Sequence, residues 1–177
     1  GTVDPSTGDC QGALYIFNGK GKECRTAGIS TTFFNCCNTD PGSFLFIQNT
    51  CGSGDAETVQ AVGKGMCHYI GDYCQQKWPL IGCVQRANTY CCFNSKLGRI
   101  IHEQGRAQLQ QFGASGDWGG SENPNCRGFT PEEFQMLDFS RIDLSEYFGD
   151  IKTKAASEVQ QNMQRQVSDF YDKVQRK

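Results

Sequence analysis

Cysteine is the residue whose type and spacing most clearly suggest chemistry in this 177-residue chain, which contains eleven of them. Two pairs are adjacent in the sequence, Cys36-Cys37 and Cys91-Cys92. Adjacent cysteines rarely bond to each other, because the small ring strains the peptide link, and neighbouring side chains on a strand point to opposite faces. We therefore expect each pair to join one strand end to two different neighbours. The candidates for structural disulfides are Cys10, Cys24, Cys36, Cys37, Cys51, Cys67, Cys74, Cys83, Cys91, Cys92 and Cys126.

A metal site is the alternative interpretation of part of this set. The residues of the type that zinc binds are Cys67, His68, Cys74, Cys83, Cys91 and Cys92. However, no two cysteines have the C-x-x-C spacing that is typical of structural zinc sites and of thiol redox motifs. We therefore favour disulfides, with Cys74–Cys83 as one expected bridge across a hairpin, and the remaining connectivity stays open. Because eleven is odd, one cysteine is free or pairs outside these residues.

Residue patterns that are typical of catalysis are scarce. The chain has two histidines, and we interpret His102 as a solvated or half-buried side chain on a helix. Glu132 and Glu133 are adjacent carboxylates, but a helix start explains them, because acidic residues favour that position. There is no nucleophile-elbow serine, phosphate-binding loop or H-E-x-x-H motif. The sequence therefore predicts a protein that is not an enzyme and uses no cofactor. The acid–base groups that stay open are Asp138, Asp143 and Asp150.

Composition and charge narrow the class of protein further. The formal net charge is −2, which gives no electrostatic case for binding nucleic acid or an anionic membrane surface. No segment approaches the roughly 18 apolar residues of a spanning helix. Hydrophobic residues make up 37% of the chain and glycines number 21. The core is therefore small, and disulfides worth about 2–4 kcal/mol each would have to support it. The first residues lack a signal peptide, which we expect to be removed or to lie upstream.

The first 66 residues are predicted to form a cysteine-rich hairpin lobe. Asn18-Gly19 is a tight-turn signal, because both central residues of such a turn need positive φ, and it predicts a hairpin of residues 13–17 and 22–27. The further elements expected here are an extended run at 29–34, a short strand at 44–48 and a helix at 56–63 capped by Asp55.

Residues 67–128 are predicted to form a second cysteine-rich core. Residues 67–74 and 83–93 have the aromatic and β-branched composition of strands, and Pro79 marks the turn between them. Both predicted hairpins precede adjacent cysteines, which indicates a weak internal duplication or a coincidence in a cysteine-rich chain. The elements expected next are a helix at 95–105, with Ser95 as N-cap and Gly105 just past its end, and a glycine-rich loop at 113–126.

Residues 129–177 are predicted to be a helical C-terminal segment. Thr130 and Glu133 have the spacing of a capping box, and Pro131 fits the first helical position. Apolar residues then recur at steps of four and three along 151–177, which predicts a long amphipathic helix. This helix packs on its own domain or serves as a partner-binding helix, and the sequence leaves both open. Its apolar stripe includes Ile151, Val159, Met163, Val167, Phe170 and Val174.

The middle of the chain resembles a known family. One long run at residues 67–109 carries the resemblance, CHYIGDYCQQKWPLIGCVQRANTYCCFNSKLGRIIHEQGRAQL. Its matching features are two cysteines around a tyrosine-rich strand, the YCCFNS junction and the RII-x-EQGR-x-QL helix. A second run at 123–151, NPNCRGFTPEEFQMLDFSRIDLSEYFGDI, matches as well. Both runs resemble the cysteine-rich C-terminal region of the TraN family, the mating-pair stabilisation proteins of F-type conjugative plasmids and integrative elements.

The resemblance implies a non-enzymatic structural and adhesive component of bacterial conjugation. TraN proteins lie at the outer membrane of a Gram-negative donor cell, on its periplasmic or cell-surface side, and stabilise donor–recipient contact for DNA transfer by type IV secretion. The expected partners are donor-side conjugation and outer-membrane components, and no direct DNA binding is expected. Because the chain resembles the C-terminal base of a longer protein, we expect another region to contact a recipient outer-membrane protein.

The predicted fold class is α+β and disulfide-rich, with small antiparallel sheets or hairpins, a few helices and a long C-terminal amphipathic helix. The alternative function is a generic secreted, disulfide-rich module that binds a protein or a glycan. Aromatic residues that could line such a site are Tyr69, Tyr73, Trp78 and Trp118. A third hypothesis is an exported hydrolase that uses acidic residues.

Overall fold

The computed structural model describes residues 2–3, 10–27, 35–38 and 51–175, and it describes side chains at 12–27, 35–38 and 51–166. The chain divides into two compact units, Gly1–Ile142 and Asp143–Lys177. Helices and a small antiparallel sheet are combined with five disulfides, which confirms the predicted disulfide-rich α+β class. The division into segments 1–66, 67–128 and 129–177 stays a prediction.

The described strands are β1 (Thr2–Val3), β2 (Cys10–Gln11), β3 (Lys20–Ala27), β4 (Cys67–Trp78) and β5 (Gly82–Cys92). The first unit is built on a three-stranded sheet with the order β3-β5-β4, in which both pairings are antiparallel. The described helices are α1 (Ser53–Gly63), α2 (Lys96–Gly105), α3 (Pro131–Gln135) and α4 (Ser145–Gln175). Short 3-10 turns lie at Arg106–Gln108, Gln110–Phe112 and Phe139–Arg141.

β4 and β5 form the long hairpin that the sequence predicted, but β4 continues past Cys74 to Trp78. Three register shifts interrupt the pairing, and such bulges bend a strand pair and increase its twist. β5 is the central strand, and alternate side chains along it are buried at Ala87, Thr89 and Cys91. The core of the first unit therefore lies against β5.

The predicted hairpin around Asn18-Gly19 is wrong. β3 pairs with β5 instead, and Ile16 forms an isolated antiparallel bridge with Phe129. The Asn18 side chain accepts a hydrogen bond at 2.9 Å from a backbone amide 110 residues away. Position 19 requires a glycine, because a Cβ there would lie 2.7 Å from the Phe93 ring. A close approach between distant segments therefore explains this glycine, and a local turn does not.

The helix predicted at 56–63 exists, but it begins earlier and its N-cap differs. Gly52 is the N-cap, and Asp55 lies inside the first turn, so the prediction of Asp55 as cap is wrong. The Asp55 carboxylate instead accepts hydrogen bonds from the Arg25 backbone amide at 2.9 Å and from its guanidinium at 2.7 and 3.0 Å. These bonds fix α1 against β3. The elements predicted at 29–34 and 44–48 lie outside the described residues.

α2 begins where the sequence predicted and ends differently. The Ser95 hydroxyl accepts a hydrogen bond from the Gly98 amide at 3.0 Å, which confirms Ser95 as the N-cap. Gly105 is the last helical residue, with φ −90°, and the chain continues directly into the 3-10 turn Arg106–Gln108. A Cβ on Gly105 would lie 3.0 Å from the Leu137 side chain, so packing rather than helix termination requires a small residue there.

α3 has the capping box that the sequence predicted. The Thr130 hydroxyl accepts from the Glu133 amide at 3.2 Å, and the Glu133 carboxylate accepts from the Thr130 amide at 3.0 Å. Pro131 occupies the first turn, where its missing N–H costs nothing. The short helix is thereby fixed beside the buried Phe129.

The second unit contains α4, a helix of 31 residues. Along its described part, the stripe residues Ile151, Val159 and Met163 are exposed. The side chains of the other three, Val167, Phe170 and Val174, lie outside the described set. Within the described ranges, the structure contains no helix that is both long and apolar enough to cross a membrane.

Candidate functional site

The two members of each adjacent cysteine pair form disulfides with two different cysteines elsewhere in the chain, as the sequence predicted. Cys91 bonds to Cys126 in the glycine-rich loop, whereas Cys92 bonds to Cys67 at the start of β4. The end of β5 is therefore fixed on both faces immediately before α2 begins. The other adjacent pair also bonds to two different partners. The five disulfides are Cys24–Cys37, Cys36–Cys51, Cys67–Cys92, Cys74–Cys83 and Cys91–Cys126.

The disulfide connectivity also identifies the one cysteine of the eleven that is not in these five disulfides. Cys74 and Cys83 bond across the β4–β5 hairpin, which is the bridge expected from the sequence. The eleventh cysteine is Cys10, in β2. Because the other ten bond among themselves, Cys10 has no cysteine partner left within these 177 residues.

The cysteines that were considered as zinc ligands are all in disulfides, and a disulfide sulfur is not a thiolate ligand. Among the residues that the structure describes, one cluster brings three groups of metal-binding type together, Cys36, Cys51 and Asp55. Its two cysteines are bonded to each other, and Asp55 pairs with Arg25. The cluster is therefore an ion pair beside a disulfide.

The buried guanidinium of Arg106 is the central feature of the first unit, and its side chain is fully buried. Its Nε donates to His102 Nδ1 at 3.0 Å. Its terminal nitrogens donate to four backbone carbonyls, those of Gly116 at 3.3 Å, Asp117 at 3.2 Å, Asn125 at 2.8 Å and Arg127 at 2.8 Å. One side chain therefore holds both ends of the glycine-rich loop, which has no regular secondary structure of its own.

The charge of Arg106 is stabilised without an ion pair. Among the described residues, no carboxylate lies within salt-bridge distance of it, and carbonyl dipoles take that place. The guanidinium carbon also lies over aromatic faces, 4.0 Å from the centre of Trp118 and 4.8 Å from that of Phe112. Burial lowers the pKa of Arg106 to about 10, so the side chain stays charged at neutral pH. Such a cation depends on every one of its acceptors.

His102 lies in the same buried layer, so its interpretation as a solvated or half-buried side chain is wrong. Its exposed fraction is 0%. The ring stacks between Phe93 and Phe129, with centroids 4.3 and 4.2 Å away. His102 Nε2 lies 2.9 Å from the Phe17 carbonyl, and Nδ1 accepts from Arg106, which assigns the proton to Nε2. Burial and then the Arg106 charge lower the pKa of His102 to about 3, so the ring is neutral.

The second histidine connects β4 to α2. The ring of His68 stacks on Trp118 with centroids 3.9 Å apart, and its Nδ1 lies 2.9 Å from a carboxylate oxygen of Glu103. Glu103 also accepts from Arg99 at 2.8 Å. Burial alone would raise the pKa of Glu103, but the hydrogen bonds from His68 and Arg99 outweigh it, and the pKa lies below its usual value. The geometry suits cross-linking of secondary structure rather than proton transfer to a substrate.

Glu133 and two of the three aspartates that the sequence left open as acid–base groups have structural partners. Arg127 donates to both oxygens of Glu133 at 2.8 and 2.9 Å and thereby lowers the pKa of Glu133. A hydrogen bond from the Ser140 side chain lowers the pKa of Asp138. The backbone amide of Ser145 does the same for Asp143. These groups stabilise turns and helix starts.

Comparison with known proteins identifies the family. A family model described as F-type Type IV secretion system, TraN, matches residues 3–130. This chain belongs to the TraN family. It is 28% identical over 158 residues to the Mating pair stabilization protein TraN of Escherichia coli (strain K12), an alignment that covers 86% of this chain and 25% of that protein. The chain thus spans about a quarter of the length of that relative. No solved structure matches it.

The aromatic residues proposed as a binding surface have separate roles in this TraN-family chain. Trp118 is packed between His68 and the Arg106 guanidinium. Tyr69 packs on a neighbouring tyrosine of β5, and the Tyr73 hydroxyl donates to a carboxylate on β3. Only Trp78, at the end of β4, projects half-exposed without a ring partner among the described residues. The four residues therefore do not line one site.

Two exposed features of the TraN-family chain remain as candidate contact surfaces. A cleft of about 290 Å³ between β3 and α1 is lined by Lys20, Lys22 and Lys64, and Lys22 pairs with Glu57 at 2.9 Å. The second feature is the turn of the β4–β5 hairpin, where apolar residues project into solvent. The sequence analysis named Trp78 beside this turn as a possible binding residue, and it marked neither the cleft nor the exposed apolar residues of the turn itself.

Proposed function

We propose that this chain is a non-enzymatic, rigid base of a mating-pair stabilisation protein, which supports donor–recipient contact during DNA transfer through an F-type type IV secretion system. The observation that carries the proposal is the match of residues 3–130 to the TraN family. Five disulfides and the buried Arg106 support the rigid part of the proposal, because both fix loops that have little regular structure.

Export to an oxidising compartment is part of the same proposal. Disulfides of this density form and persist in the periplasm or outside the cell, and they are rare in the cytosol. We place the protein at the outer membrane of a Gram-negative donor, on the periplasmic or cell-surface side. Its partners there are donor-side conjugation and outer-membrane components. Another region of a longer protein would contact the recipient outer-membrane protein, and this chain would not bind DNA.

The C-terminal helix α4 is proposed as a partner-binding helix. Its stripe residues Ile151, Val159 and Met163 are 46%, 59% and 62% exposed, which leaves apolar surface available to a partner. A protein shortened to residues 1–151 should keep the cooperative unfolding transition of the full chain. Loss of that transition on shortening would mean that α4 belongs to the core instead.

The proposed function is tested by plasmid transfer in liquid and on a solid surface. A donor lacking the gene that encodes this chain is complemented with the intact gene, with a gene lacking residues 67–151, or with a Cys91→Ser/Cys126→Ser gene. Transfer should fall most strongly in liquid, where cells need stabilised contacts, and only the intact gene should restore it fully. Immunoblots of the exported protein control for its amount.

Normal liquid transfer from the donor that lacks the gene would contradict the proposal. Full rescue by the gene lacking residues 67–151 would also contradict it, because that deletion removes β4, β5, α2 and the Arg106 contacts.

A further inference from the structure

The β4–β5 hairpin stays paired up to its turn, as far as Trp78 opposite Gly82. Pairing of β3 with β5 is described as far as Ala27 opposite Gln85. At about 3.3 Å per residue, the end of the hairpin lies roughly 10 Å from this last described β3 pair. We call residues 77–82 the hairpin tip.

The side chains of the hairpin tip are apolar and exposed. Leu80 is fully exposed, and Ile81 and Trp78 are 58% and 50% exposed. Leu80 also has φ +65°, in the left-handed region that favours glycine or asparagine. A leucine at this position therefore strains the backbone and gains no burial. Stability of the isolated fold does not account for this residue, whereas a contact outside the fold would.

The hairpin tip is held on a stiff stem. The Cys74–Cys83 disulfide closes the hairpin directly below it. One step further down, Arg86 pairs with Asp72 across the same two strands. A surface loop that is already fixed loses little conformational entropy when it binds. The stem therefore favours a contact made by a preformed projection.

The polarity of the side chains changes in layers from residue 75 to the apex of the hairpin tip. Gln75 and Gln76 lie nearest the stem, Lys77 and Trp78 follow, and Leu80 and Ile81 form the apex. No acidic residue lies between positions 73 and 86. Tryptophan and lysine below an apolar apex match the order of headgroup and acyl layers at a bilayer surface.

We propose that the hairpin tip inserts into the interface of a lipid bilayer, with Leu80 and Ile81 in the acyl boundary and Trp78 at the level of the headgroups. The proposal rests on the proposed function only in that an exported protein meets a membrane surface. Apolar insertion drives the contact, which is compatible with a chain of net charge −2, and Lys77 supplies the only charge at the tip.

Vesicle binding by the purified full chain tests the proposal. The vesicles are phosphatidylcholine, with and without phosphatidylglycerol, and carry brominated acyl chains that quench tryptophan on contact. The chain has two tryptophans, and Trp118 is packed on Arg106, so quenching should report Trp78 and should vanish in Trp78→Phe. Leu80→Asn removes the apex side chain and relieves the backbone strain. Met136→Asn is the matched control, because Met136 is 61% exposed elsewhere on the same unit.

The wild-type chain should bind both kinds of vesicle, and added salt should change binding little, because apolar insertion is not screened. Leu80→Asn should lower the partition coefficient about tenfold or more without lowering the unfolding midpoint, and Met136→Asn should bind like wild type. Absence of wild-type binding, or equal binding by Leu80→Asn, would overturn the proposal.

A protein pocket as the true contact would also overturn the lipid assignment. That result would appear as no vesicle binding by wild type together with reduced plasmid transfer from a donor carrying Leu80→Asn. Because vesicle binding is measured on the purified chain, its failure is distinct from failure of the transfer test of the proposed function.

Discussion

The arginine frame and the hairpin tip lie in the same compact unit and make opposite use of their side chains. We use "arginine frame" for Arg106, His102 and the glycine-rich loop 113–126. In the frame a charged side chain is fully buried, and each of the three guanidinium nitrogens donates to at least one acceptor. In the hairpin tip, Leu80 is fully exposed and sits in a strained backbone conformation. Within this unit, the frame fixes the fold, whereas the tip presents apolar side chains to solvent.

The comparison also shows two ways of ordering a loop. The glycine-rich loop is ordered from inside, by Arg106 donating to carbonyls at both of its ends and by the Cys91–Cys126 disulfide. The hairpin tip is instead fixed at its base, where the Cys74–Cys83 disulfide links β4 to β5. Changes to the frame should therefore alter stability, and changes to the tip should alter binding.

Removal of Arg106 should have the largest effect on stability. Arg106→Ala leaves buried carbonyls without donors and should lower the free energy of unfolding by about 3–5 kcal/mol, measured by urea denaturation. Arg106→Lys should recover only part of this loss, because an ammonium cannot reach acceptors spread around a planar guanidinium. The control is Arg86→Ala, which removes a half-exposed ion pair and should cost less than about 1 kcal/mol. Equal losses of unfolding free energy in the Arg106 and Arg86 variants would contradict the stabilising role of the buried guanidinium.

Removal of the disulfide in the frame should destabilise the protein more than removal of the disulfide below the hairpin tip. Loop-closure entropy predicts about 4 kcal/mol of destabilisation for Cys91→Ala/Cys126→Ala, whose ends are 35 residues apart. The same relation predicts about 2.5 kcal/mol for Cys74→Ala/Cys83→Ala, whose ends are 9 apart. Thermal and urea unfolding of the two double variants, side by side, measure this order. A larger loss in the tip variant would show that the stem, and not the frame, carries the stability.

Acid should weaken the frame through His102. Its pKa in the folded protein is about 3, below the ordinary value of 6.5, so the unfolded chain binds a proton more readily as the pH falls through 6.5. Stability should therefore be full above pH 7 and fall by about 2 kcal/mol between pH 7 and pH 5. Below pH 5, the protonation of Glu103 and Glu133 should lower the free energy of unfolding further, because the pKa values of both carboxyls are also lowered in the folded protein.

His102→Gln is the matched variant for the pH prediction. It should be less stable at pH 7, because glutamine cannot replace the stacking of the ring between Phe93 and Phe129. Its unfolding free energy should nevertheless change less than that of wild type between pH 7 and pH 5. Parallel pH profiles for the two proteins would show that another group causes the acid response.

Relief of the strain at Leu80 should have the smallest effect on stability, and its sign is opposite. Leu80→Asn should leave the free energy of unfolding unchanged or raise it by up to about 1 kcal/mol, because asparagine adopts positive φ more readily. Leu80→Ala keeps the strain and should not stabilise the protein. Destabilisation by Leu80→Asn, measured by urea denaturation, would mean that the leucine packs within the fold.

Local patterns predicted the parts of the fold that local chemistry determines. The capping box of Thr130 and Glu133, the Ser95 cap and the β4–β5 hairpin depend on neighbouring residues and were correctly predicted. The bonding of adjacent cysteines to two partners also followed from strand geometry. The TraN family was recognised from the same region and is confirmed by the match to residues 3–130.

Long-range pairing explains what the sequence concealed. Asn18-Gly19 predicted a local hairpin, but β3 pairs with the distant strand β5, and no local pattern indicates that pairing. Arg106 reads as a surface residue, because its partners are backbone carbonyls up to 21 residues away. The i,i+4 spacing of His102 and Arg106 on the face that carries Ile101 and Gly105 was the one available signal. Of the hairpin tip, the sequence analysis named Trp78 as a possible binding residue and missed Leu80 and Ile81, because the exposure of apolar side chains cannot be read from a turn sequence.

The most direct test of the separation between frame and tip measures two properties on the same two proteins. Urea unfolding and vesicle binding are compared for Leu80→Asn and for Cys91→Ala/Cys126→Ala, under conditions in which both are folded. We expect Leu80→Asn to lose vesicle binding and keep its stability, whereas the disulfide variant should lose stability and still bind. If stability and binding fall together in both proteins, then one structure serves both purposes and the separation is contradicted.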